Sequence, residues 1–173
     1  MKKRYILTFI LLVIGALFGI LSKAGDVAVQ GNIIGNTLHT FGLVTSGLFI
    51  WIVVCTGISI MSKSRIFAVM NLFCFLTAML LAYYLYSYFV VEYLVMRIVK
   101  FWAIMLIPAT LSGCIMWNVR ANKILKRIVI IAGTLVMCFD IFAQGLLITV
   151  MAMEAVIYVL FLMMILSKSS NKS

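Results

Sequence analysis

The amino-acid sequence predicts an all-α membrane protein: six transmembrane helices in a single bundle, one domain over residues 1–173, N-terminus and C-terminus both cytoplasmic. Three observations carry this. Of the 173 residues, 66% are hydrophobic and only 10% charged, whereas soluble domains are nearer 45–50% apolar and roughly 25% charged. The apolar residues form continuous runs of about 20, the length that crosses a hydrocarbon core of about 30 Å as a helix, not the alternating ~10-residue segments of a barrel. Lysines and arginines gather in every second connection, as cytoplasmic loops do.

The first run, 5–21, follows Lys2, Lys3 and Arg4. Its end, Ser22-Lys23-Ala24, loosely fits a signal-peptide cleavage site. The run is long for a signal peptide and more membrane follows, so it reads as an uncleaved first helix. Gly15 and Gly19 lie on one face of it and would let another helix approach closely. The connection 22–40 mixes polar residues, three glycines and single apolar residues, and reads as a short interfacial or re-entrant segment.

The second crossing is 41–61, with Trp51 inside it. The third, 66–88, is marked at both ends: Lys63 and Arg65 before it, and Tyr83, Tyr84, Tyr86 and Tyr88 at its close. That is a cationic cytoplasmic end and an aromatic belt at the far interface. Asn71, Phe75, Ala78 and Ala82 share one face, a packing seam with one polar contact. The fourth crossing, 98–117, holds Lys100 near its start and Pro108 mid-way, where the ring removes a helical hydrogen bond. After the basic loop 118–127, the remaining apolar stretch is too long for one crossing. Ala143-Gln144-Gly145 divides it into 126–143 and 146–166, an antiparallel hairpin. With this threading, all of the 14 lysines and arginines except Lys23, Arg97 and Lys100 fall on the cytoplasmic side.

The charge of +10 is therefore a topology signal and a match for anionic lipid headgroups, and no nucleic-acid partner is expected. Cys55, Cys74, Cys114 and Cys138 each fall alone in a different run, with no metal-ligand or disulfide spacing. His39 stands without a second ligand. No metal and no cofactor are expected. There is no nucleotide-binding glycine loop, HExxH or serine nucleophile elbow, so the chain does not read as an enzyme.

The acids carry what chemistry remains. Asp140 lies about one turn below the outer end of the fifth helix. Glu154 lies about 12 Å below the start of the sixth. A charge at that depth costs roughly 2.5–3.5 kcal/mol, so it needs a partner, water or a proton. Lys100 and Asp140 are expected at similar depth, as a pair. Lys100, Asp140, Gln144 and Glu154, roofed by the first loop with His39, form the candidate ligand-binding cluster. The alternative is a set of satisfied buried polar groups.

Two resemblances follow. Ser62, Lys63, Ser64, Ala68, Asn71, Phe73, Phe75, Met79, Tyr83 and Tyr84, then Lys100-Phe101-Trp102, resemble an uncharacterised family of small bacterial multi-pass membrane proteins over residues 40–125. This implies a bacterial inner membrane and no assigned activity. The layout of six short-looped helices, a small-xxx-small first helix and a long first outer loop is similar to substrate-binding subunits of energy-coupling-factor transporters. That implies a small-molecule ligand, and a membrane partner subunit docking at Gly15 and Gly19. No residue of a ligand motif is carried over. The leading expectation is a solute-binding or transporting membrane protein. The competing one is an accessory or immunity-type protein acting through helix–helix contact.

Overall fold

The computed structural model describes residues 2–167, with side chains from residue 6 onward. Within them the chain is helical with no strand. Seven α-helices follow one another: α1 (Lys2–Asp26), α2 (Ile33–Ser46), α3 (Leu48–Met61), α4 (Arg65–Phe89), α5 (Met96–Trp117), α6 (Lys123–Ala143) and α7 (Ile148–Ser167). A 3₁₀ turn, Asn118–Arg120, joins α5 to α6. The expected cations Lys168 and Lys172, and the side chains of Lys2, Lys3 and Arg4, lie outside what is described.

Four stretches are long and apolar enough to cross a membrane: Ile6–Asp26, Arg65–Phe89, Met96–Arg120 and Ile148–Ser167. Together α2 and α3 make a fifth if the bent pair is one span. Carrying Lys123, Lys126, Arg127 and Asp140, α6 is not among them.

Two expectations are corrected. Residues 41–61 are not one helix, because the chain bends by 74° between α2 and α3. The segment 22–40 is not mainly a loop either: α1 continues to Asp26, and α2 begins at Ile33. Asn32 starts α2 by accepting the Gly35 N–H at 2.6 Å, so Gly35 sits in a capped first turn where its flexibility costs little. Of the three glycines in 22–40, Gly31, at φ +139°, is the one whose backbone needs glycine's freedom.

Ser64 caps α4 by accepting the Phe67 N–H, and Asn122 caps α6 by accepting from Ile124 and Leu125. At the expected break after Ala143, Gly145 takes φ 73° and Leu146 φ 58°. The chain thereby reverses, and Gly133 of α6 meets Phe161 of α7. Pro108 is accommodated within an unbroken α5.

Helices α1 and α4 run parallel. A Cβ on Gly15 would lie 2.4 Å from the Phe75 carbonyl oxygen, and one on Gly19 2.2 Å from that of Met79. The glycine face is therefore filled by α4 of the same chain. This corrects the expectation that a partner subunit docks there. At the start of this seam, Thr8 donates to Asn71 Oδ1 at 2.7 Å, and Asn71 Nδ2 donates to Ser62 Oγ at 2.9 Å. The face expected for Asn71 is buried at Asn71 and Phe75, and only half-buried at Ala78 and Ala82.

The core has two parts. Leu11, Cys55, Ile58, Leu72, Phe75, Leu76 and Met79 join α1, α3 and α4. Phe49, Ile60, Val119, Val129, Phe161 and Ile165 join α3 to α6, α7 and the 3₁₀ turn. Helix α3 contributes to both and stands between them. We expect Gly19→Ile to lower thermal stability in detergent by about 1–3 kcal/mol or more through overpacking against α4. Leu17→Ile, on the exposed side of α1, should leave it within about 0.5 kcal/mol.

Candidate functional site

The bend lies at Gly47. Helix α3 has 14 residues, about 21 Å, too short to cross a hydrocarbon core of about 30 Å. The backbone opened at the bend lies beside buried Thr45 and Phe49, where peptide groups must find partners within the protein. In a continuous helix the Phe49 N–H would bond the Thr45 carbonyl. Here it donates to Asp140 Oδ2 at 2.6 Å. One turn further along α6, Gln144 Nε2 donates to the Leu43 carbonyl at 3.2 Å. Helix α6 thus supplies an acceptor to the start of α3 and a donor to the end of α2. Gly47 offers no side-chain cap of its own, and a Cβ there would lie 2.7 Å from Asp140 Oδ2. The missing methyl group makes room for the carboxylate.

The sequence-predicted cluster is only partly assembled. Asp140 and Glu154 are both buried, at 4% and 1% exposure. Neither Glu154 oxygen has a hydrogen-bond partner, and nor does Gln144 Oε1. Lys100 does not pair with Asp140: it is exposed on α5. Helix α5 packs on α3 and α4, while α6 packs on α3 and α7, so α3 separates the two residues. His39 is held by Gln30, whose Nε2 is 3.1 Å from Nδ1, and is not a roof over the acids. No group of three or more metal-binding side chains occurs among the described residues.

A different site lies where α1 and α4 end. A cavity of about 140 Å³ is lined by Ser22 and Asp26 of α1, Thr45 and Ser46 of α2, Trp51 of α3, Met79, Leu80, Tyr83 and Tyr84 of α4, and Trp102 of α5. The Asp26 carboxylate accepts from the Tyr83 hydroxyl and, at 3.4 Å, from Ser46. The Lys23 ammonium lies 5.1 Å from the centre of the Tyr83 ring. Trp51 and Trp102 face each other with centroids 6.3 Å apart. These two rings, with Met79 and Leu80, also wall a second cavity of about 180 Å³ between α3, α4 and α5, lined further by Leu48, Cys55, Leu76, Met105, Leu106 and Ala109. The two spaces share a wall: one carries a carboxylate and hydroxyls, the other is apolar.

Neither cavity is lined by Lys100, Asp140, Gln144, Glu154 or His39. Sequence reasoning placed Asp26 in a connection and the tyrosines in an interfacial belt. The available signal was the pair of tryptophans inside apolar runs, together with the acid that follows the glycine seam of α1. No family model, no curated protein and no solved structure matches the chain.

Asp140→Leu should destabilise the protein by about 1–3 kcal/mol, because it orphans a buried N–H. Asp140→Asn keeps an acceptor and should lose less than half of that. Gly47→Ala should fall between them. Thermal unfolding of the purified protein in one detergent compares all three.

Proposed function

We propose that this is a six-crossing membrane protein, both termini cytoplasmic, that binds an amphipathic molecule carrying an ammonium group. The observation that carries the reading is the pair of adjoining cavities. Trp51, Tyr84 and Trp102 line the polar cavity beside Tyr83, whose ring carries the Lys23 ammonium, and aromatic faces attract cations by roughly 0.5–2 kcal/mol each. The Asp26 carboxylate is met there by two hydroxyl donors. The apolar slot behind Trp51 and Trp102 takes a hydrocarbon or aryl body. The ammonium could belong to a free amine or to a lipid headgroup, and the site chemistry is the same for both. A bacterial inner membrane is the expected location, with binding, not catalysis, as the activity.

The six-crossing threading draws support from three features. The parallel run of α1 and α4 suits a first and a third crossing. Helix α6, with 21 residues, is about 31 Å long. Its Lys123 lines one surface hollow with Arg65, at the end where a cytoplasmic surface is expected. There Arg120 lies 4.3 Å and Arg65 5.5 Å from the Trp117 ring. The covered glycine face removes the docking surface expected for a partner subunit at Gly15 and Gly19; an accessory protein acting through other helix faces is the second reading, and it is favoured by Asp140 and Glu154 lining neither cavity.

Binding is tested by tryptophan fluorescence in phosphatidylglycerol nanodiscs, whose lipids carry no ammonium. Hexyltrimethylammonium should quench saturably, and hexanol and hexyl sulfate should not. Asp26→Asn should weaken the cation roughly tenfold, about 1.4 kcal/mol. Equal responses to all three probes would reject the reading. Mass spectrometry of co-purified lipid separates the two ligand sources. In a chain whose four cysteines are replaced by serine, single Gln30→Cys and Glu92→Cys variants should react with an impermeant maleimide in intact cells. Asn122→Cys should react only after permeabilisation.

A further inference from the structure

The bend at Gly47 holds a second set of polar atoms that the ammonium site does not use. Glu154 is 1% exposed and both its carboxyl oxygens lack partners. The hairpin register shows what it faces. Gly133 of α6 lies against Phe161 of α7, and Thr134 meets Tyr158 hydroxyl to hydroxyl at 2.7 Å. Two turns along each helix, the same antiparallel register brings Asp140 opposite Glu154. One turn beyond Asp140, Gln144 turns its nitrogen to Leu43 and leaves Oε1 buried and unpartnered.

The groups around this point are acceptors. Helices α2 and α3 contain no lysine, arginine, aspartate or glutamate. The one histidine of α2, His39, is engaged by Gln30. On α7, Tyr158 is engaged by Thr134. The cations of α6 stand at its other end, at least 13 residues or about 20 Å from Asp140. Two carboxyl groups opposite each other in the hairpin, with Glu154 unpartnered and a buried, unpartnered amide oxygen one turn beyond Asp140, call for a positive charge. The two Glu154 oxygens, Gln144 Oε1 and the second oxygen of Asp140 provide four side-chain ligands. Ca²⁺ takes six to eight oxygens, and Mg²⁺ dehydrates reluctantly. At the opened end of α2, the Thr45 carbonyl has lost its helical partner to Asp140 and is a further oxygen near the same bend.

We propose that Asp140, Glu154 and Gln144 form a binding site for one Na⁺-sized monovalent cation at the break between α2 and α3. The ion joins α6 and α7 to the bend, and so bears on α3, which carries Trp51 into the ammonium cavity. The site itself stands without that cavity.

The test is equilibrium binding of ²²Na⁺ to the full-length protein in nanodiscs, near pH 8, alongside its melting temperature. Wild type should bind about one ion per chain, displaced by unlabelled Na⁺ and poorly by Cs⁺, and should melt higher in Na⁺ than in Cs⁺ at equal ionic strength. Glu154→Gln should melt as a folded protein and bind ²²Na⁺ roughly tenfold or more weakly. Asp26→Asn should bind it as wild type does, which keeps this result separate from the ammonium site. Absence of saturable ²²Na⁺ binding to wild type would overturn the proposal, whatever the variants do. So would binding lost in Asp26→Asn but kept in Glu154→Gln, or stability that responds to pH and not to Na⁺.

Discussion

The fold depends on one hydrogen bond across 91 residues of sequence, from the Phe49 N–H to the Asp140 carboxylate. It allows a helix to start at buried Phe49, where water offers no partner. A charge-assisted bond to a helix N-terminus also meets the positive end of the helix dipole. With Gln144 on the Leu43 carbonyl, α6 satisfies both sides of the opening, so the bend is a supported feature and not a fault. Because α3 contributes to both parts of the core, its position sets the spacing of the whole bundle. Trp51, about one turn into α3, is placed in the cavity wall by the same constraint.

The other fixed framework is the α1–α4 pair. Gly15 and Gly19 bring the two backbones close, and dispersion and short-range packing replace the hydrophobic effect that lipid cannot provide. The Thr8–Asn71–Ser62 chain ties this pair to the turn after α3. Trp117 Nε1 and Arg120 donate to the Ser62 carbonyl in that same turn. One end of α3 is thus anchored by side chains from α4 and the 3₁₀ region, and the other by α6. The cavity lies between the rigid α1–α4 pair and α3, at the end where the broken segment turns away.

Much of this was legible in the sequence. Uninterrupted apolar runs with charged or aromatic ends marked α1, α4, α5 and α7, and Gln144-Gly145 marked the hairpin. The close approach at Gly15 and Gly19 was legible as a packing property, though not which helix would use it. The bend at Gly47 was not legible. Its neighbours on the α3 side are all apolar, a single glycine in such a run is common, and the residue that rewards the bend lies far along the chain. Lys100 and Asp140 were expected to pair, but which face of its helix each residue presents was not legible, and α3 stands between them. Asp26 and the tryptophans were visible as residues. Their convergence depends on the bend, and so was hidden with it.

Asp140 holds open the start of α3 through its bond to the Phe49 N–H. Hydrogen–deuterium exchange over residues 43–50 tests it most directly, comparing wild type with Asp140→Leu in the same nanodiscs. The Phe49 amide should be protected in wild type and exchange much faster in the variant, while amides mid-way along α4 keep their protection. Equal protection of Phe49 in both proteins would contradict it.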